Sequence, residues 1–200
     1  MMPPKSIKRL INFSDAVIAI AVTLLVLPLV DRAANSHISS YGSFVSSYGS
    51  LILIFIISFV VICRYWEVHH ELFSTVLSFT KPLFWLNALW LLSIALIPFT
   101  SELLGNNSSN STFIRSIYIV SLLLTSYIGV AIQLVIIHTP AIQNTSRNKL
   151  LDKSYGLVTA GAMTLVLIVN ILLPSVGLWS LLLLIPTGYL RKMFPDKKGS

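Results

Sequence analysis

Asp15 stands inside an apolar segment, in the stretch RLINFSDAVIAIAVTLLVLPL that runs from Arg9 to Leu29. A carboxylate in such a place is costly, and by default it marks either a functional site or a packing contact with a specific partner. The other ionisable cluster is RYWEVHHELF, residues 64–73. His69 and His70 are adjacent, so on a helix their side chains diverge by about 100° and do not share one metal. Glu67-Val68-His69-His70 contains the Glu-x-x-His spacing of di-iron bundles. That chemistry needs two such motifs and two further glutamates, and the chain holds only Glu67, Glu71 and Glu102. No metal site and no cofactor are expected. Hydrolysis is not expected either: Ser14 and Asp15 splay apart, and His69, His70 and His138 lack a convincing serine. The chain does not read as an enzyme.

The elements that must hold these residues follow from composition. The 200 residues are 55% hydrophobic and 10% charged, with a mean hydropathy of +0.83. Soluble domains carry about 25% charge. The chain therefore reads as an all-α integral membrane protein. Its net charge of +7 does not point to nucleic acid, because the basic residues flank apolar segments. The lone Cys63 permits no disulfide within the chain. The first apolar segment is too long for a signal peptide and lacks a cleavage site, so it reads as a retained span.

Six transmembrane helices are expected, at about 7–30, 44–66, 82–104, 113–138, 155–173 and 176–190, forming a single domain over 1–200. A bilayer core of about 30 Å needs about 20 helical residues, so the last span is short, and Pro186 is expected to kink it. Six spans put twelve Lys and Arg on the side of the termini and leave Arg32 and Arg115 on the other. That asymmetry places both termini in the cytoplasm. Thr187-Gly188-Tyr189 lacks the re-entrant loop of a potassium filter. The fourth span has only Arg115, so it is no voltage sensor.

A helical wheel sorts the first span into two faces. With Ile20 at zero, Leu24, Leu27 and Ala16 fall within about 40°, Thr23 at about −60° and Asp15 at about −140°. Asp15 thus turns toward the bundle, opposite an apolar stripe. Both faces could still be ordinary packing.

Arg9-x-x-x-Phe13-Ser14-Asp15, followed by AVIAIAVTLLVLPL, resembles the signature of the transmembrane protein 175 family of potassium channels. Trp66-x-x-His69-His70-x-Leu72-Phe73 and Leu86-Asn87-x-Leu89-Trp90-Leu91-Leu92 through Pro98-Phe99 resemble its second- and third-helix patterns. The resemblance spans residues 9–99 and implies a homotetramer whose first helices line a central pore. It implies a constriction at Ile20, Leu24 and Leu27, with Thr23 as the first-helix threonine. Arg9, Ser14 and Asp15 match residues that brace the first helix, with His69, Asn87 and Trp90 as expected partners. Pro28 departs from the family, where the position after Leu27 is often acidic or polar in bacterial members.

The function so implied is a potassium-preferring cation channel, with K+ as the permeating ion and the apolar ring as filter and gate. Its setting is the lipid bilayer of a prokaryotic cell. Two other readings stay open from the residues: a small proton-coupled transporter using Asp15 and His69, and a structural membrane subunit.

Overall fold

The computed structural model describes residues 4–35, 40–106, 111–144 and 153–173. Among the described residues six α-helices follow one another: α1 (Pro4–Leu24), α2 (Leu27–Asn35), α3 (Tyr41–Ser74), α4 (Lys81–Asn106), α5 (Thr112–Ile137) and α6 (Lys153–Leu172). A single 3₁₀ turn, Pro140–Ile142, follows α5. Among the described residues four helical stretches are long and apolar enough to cross a membrane: Ile7–Asn35, Tyr41–Ser74, Lys81–Asn106 and Thr112–Ile137. Helix α6 coincides with the expected fifth span. The expected sixth span, 176–190, lies outside the described residues.

Local chemistry explains the helix starts. Ser40 and Ser43 form a capping box before α3: the Ser43 amide donates to Ser40 Oγ at 3.2 Å, and the Ser40 amide to Ser43 Oγ at 3.0 Å. Ser111 caps α5 by accepting from the Ile114 amide. Pro82 sits in the first turn of α4, where its missing N–H costs nothing.

Two expected boundaries shift. The first span is not one helix. It breaks after Leu24 and resumes at Leu27, because Pro28 cannot donate to the Leu24 carbonyl. The second span is longer than its apolar part: α3 has 34 residues, about 51 Å at 1.5 Å per residue. Its last turns carry RYWEVHHELF, with an Arg64–Glu67 ion pair on the surface.

Helix α4 lies at the centre and packs on α1, α3 and α5, and α6 lies against α5. Ile94 and Ile97 of α4 meet Tyr118, Ile119 and Leu122 of α5 in a fully enclosed core. Lipid tails supply no hydrophobic drive between helices, so close fit and hydrogen bonds hold them. Ser58 bonds Tyr118 at 2.9 Å and Tyr65 bonds Ser126 at 2.9 Å, tying α3 to α5. Thr100 bonds Ser121 at 3.0 Å, tying α4 to α5. At Gly105 a Cβ would stand 2.4 Å from Leu51 Cδ2, so a larger residue there would make the Leu51 side chain shift. The loop after α3 clasps the loop after α5: the Leu77 amide donates to the Ile142 carbonyl at 2.8 Å, and the Asn144 amide to the Thr75 carbonyl at 2.7 Å.

Candidate functional site

Helix α1 has two faces that differ in kind. Ile7, Leu10, Ser14, Ile18, Ala21 and Leu25 are buried against the bundle. Arg9, Phe13, Ala16, Ile20, Thr23 and Leu24 are left uncovered by the rest of the chain, and Leu27 at the start of α2 continues that line. The spacing is alternately four and three residues, so the uncovered residues form one seam. Ile20 is 59% exposed, Leu24 41% and Leu27 47%. Thr23 lies on the seam's edge. Its hydroxyl donates to the Ile20 carbonyl at 2.8 Å, which leaves the oxygen lone pairs free to accept.

The covered face is pinned by a directed chain of hydrogen bonds. Asn87 on α4 donates through Nδ2 to Ser14 Oγ at 3.0 Å. Ser14 in turn donates to the Leu10 carbonyl at 2.9 Å. His69 on α3 meets Asn87 Oδ1 through Nε2 at 2.7 Å. A carbonyl oxygen only accepts, so His69 must carry its proton on Nε2. Proton donation therefore runs one way, from His69 through Asn87 and Ser14 to the backbone of α1. The imidazole lies between two aromatic rings, Phe73 and Trp90, each centroid at 4.3 Å. Its Nδ1 is buried and accepts no hydrogen bond among the described residues.

Asp15 is held separately. Trp66 Nε1 donates to Asp15 Oδ1 at 2.9 Å. This bond links α1 to α3 one helical turn before His69, since Trp66 and His69 share a face of α3.

The expected residues therefore divide. Ser14, Asn87, His69 and Trp90 come together, with Trp90 acting as a stacking wall. Asp15 joins the brace through Trp66, a residue of the quoted motif that was not among its expected partners. The signal was available in the Trp66-x-x-His69 spacing. Arg9 and Phe13 do not join the brace; both are exposed and lie in line with Ile20. Arg9 makes no hydrogen bond or ion pair among the described residues. Asp15 and His69 are not paired with each other by a hydrogen bond, so the arrangement offers no direct carboxylate–imidazole proton relay. No group of three or more metal-binding side chains occurs among the described residues.

The residues that build this brace lie inside a recognised family segment. Residues 9–98 match the family model described as "Endosomal/lysosomal potassium channel TMEM175". Residues 9–98 are similar to a TMEM175 segment. That family is an ion channel family and not an enzyme class. The matched segment holds α1 from Arg9 onward, α2 and α3 whole, and α4 as far as Pro98. A potassium channel of Chryseobacterium sp. (strain P1-3) is 33% identical over 99 residues, covering 50% of this chain and 49% of that protein. A potassium channel of Chamaesiphon minutus (strain ATCC 27169 / PCC 6605) is 38% identical over 100 residues, covering 48% of each. The match thus spans about half the length of these curated relatives. The crystal structure of a lysosomal potassium-selective channel TMEM175 homolog from Chamaesiphon minutus superposes with a TM-score of 0.72 at 22% identity. It covers 94% of this chain and 98% of that one, so the TMEM175 fold extends across α5 and α6. The chain is a multi-pass membrane protein of this fold.

Proposed function

We propose that the chain is one subunit of a potassium-preferring cation channel, a homotetramer in which four copies of α1 surround the pore. The carrying observation is the uncovered apolar seam of Ile20, Leu24 and Leu27 on a helix whose opposite face is pinned by Ser14 and Asp15. A pore helix needs that division: one face fixed to the subunit, the other free to meet its copies. The two bacterial relatives named as potassium channels support the choice of ion.

An apolar ring has no ligands for a bare ion. It admits water and ions only when wide enough to stay wet, and closes by dewetting when narrow. Potassium holds its hydration shell less tightly than sodium, so it passes such a ring at lower cost. Ile20 with Leu24 and Leu27 forms this filter and gate in the proposal, and Thr23 offers hydroxyl oxygens at its edge. The chain forms one six-span domain with both termini in the cytoplasm of a prokaryotic cell.

The test is recording from the purified protein in planar bilayers, with liposome potassium flux and sodium controls beside it. Ile20→Asn and Leu27→Ser are expected to raise conductance and draw the reversal potential toward the non-selective value. Reversal potentials unchanged from wild type would remove the seam from the ion's path.

A further inference from the structure

The break between α1 and α2 frees two backbone oxygens, one of them on a seam residue. Leu25 and Val26 donate only three residues back, to Val22 and Thr23, both at 3.3 Å. Leu29 and Val30 both donate to the Val26 carbonyl, at 3.0 and 3.2 Å. Pro28 has no N–H for the Leu24 carbonyl, and Leu29, the regular donor for Leu25, is taken by Val26. Neither the Leu24 nor the Leu25 carbonyl accepts a hydrogen bond among the described residues.

Irregular backbone within a membrane-spanning segment is tolerated where it is buried in protein or lines a wet cavity. The two residues take different sides. Leu25 is enclosed by the bundle, whereas Leu24 belongs to the seam with Ile20 and Leu27. Helix carbonyls point toward the C-terminal end, which carries about half a negative charge from the summed peptide dipoles. The Leu24 oxygen therefore heads along α1 toward the level of Leu27. Ile7 to Leu24 measures about 26 Å along the helix, close to the far edge of a core about 30 Å thick.

We infer that the broken end of α1 is a potassium coordination site at the outer mouth of the pore, its ligands the Leu24 carbonyl oxygens of neighbouring copies. The inference rests on the pore reading above. Neutral carbonyl oxygens replace part of a monovalent ion's hydration shell. Divalent ions favour carboxylate ligands, and no carboxylate lies between Asp15 and Asp31. A cation moving inward meets the Leu24 carbonyls, then the Thr23 hydroxyls, then the Ile20 ring. Pro28 acquires a role here: it keeps the amide of its own position from capturing the ligand.

The decisive variant is Pro28→Ala, which supplies an N–H within reach of the Leu24 carbonyl. Potassium is titrated against the wild type and the variant in bilayers, and conductance is read against concentration. The apparent potassium affinity is expected to weaken about fivefold, the equivalent of one hydrogen bond of ordinary net strength. The wild type alone gives a second reading: potassium is expected to raise its melting temperature in detergent above that in equal sodium, as any ligand of the folded state does. A control separates this site from the pore itself. Leu24→Cys in a Cys63→Ser background is expected to be blocked by a water-soluble thiol reagent. Block of that variant with an unchanged potassium titration in Pro28→Ala overturns the carbonyl site and leaves the pore reading intact. Equal melting in potassium and sodium overturns the site too. Absence of block, together with normal reversal potentials in Ile20→Asn, overturns both.

Discussion

Asn87 is the side chain on which the most depends. It has one acceptor and one donor group, and both are used, toward His69 and toward Ser14. Asn87→Ala leaves two buried partners unpaired at a cost of about 1–3 kcal/mol each, and the melting temperature in detergent should fall by several degrees. Asn87→Asp should also fail, since an ionised carboxylate has no hydrogen to offer Ser14. Trp66→Phe keeps the ring and removes the donor to Asp15. Its melting temperature should fall, while Asp15→Asn, which still presents a carbonyl oxygen to Trp66, should fall less. Much of this was readable in the residues. The wheel alone turned Asp15 away from Ile20, because that angle is a property of one helix. The identity of its partner was not readable, because it depends on how α3 is shifted along α1. The motif groups Arg9 with the bracing residues, yet its angle of about −20° from Ile20 puts it on the seam.

At the scale of elements, helices α3 and α4 meet at a glycine. Gly105→Ala would drive a methyl into Leu51 and should lower stability by about 1–3 kcal/mol, as other overpacked contacts do. Leu51→Ala in the same chain should restore part of the loss, and the double-mutant cycle measures how much. Hydropathy located the long helices well, since a bilayer demands a run of apolar residues and little else. It misjudged where two of them end. RYWEVHHELF is polar enough to look like a boundary, but its backbone continues as helix because His69 and Trp66 find partners on α4 and α1. Pro28 stands out in the sequence as a proline inside the first apolar run. That it divides the first span follows from the loss of one amide, a local fact outweighed in the sequence by the apolar run around it.

For the whole molecule, the subunit leaves the seam of Ile20, Leu24 and Leu27 uncovered. In the proposed homotetramer that seam closes on a central axis, and mass measured by light scattering, corrected for detergent, should be about four times 22.1 kDa. Ile20→Lys in every copy places four charges on the axis, and the tetramer signal should weaken or vanish. The second half of the chain is joined to the first by serine, threonine and tyrosine contacts on α5, outside the matched segment 9–98. It therefore serves as the wall against which α3 and α4 stand, and α1 touches the bundle through those two helices.

The pinning of α1 fixes its phase. Ser14 and Asp15 set the rotation of the helix about its own axis, and every residue beyond them inherits that angle. One alanine inserted between Asp15 and Ile20 advances the rest by about 100°, whereas four advance it by about 40° beyond a full turn. The single insertion should turn Ile20 off the axis and silence or deselect conduction. The fourfold insertion should retain more of it, although it lengthens the helix four times as much. Conduction would then follow angle and not distance.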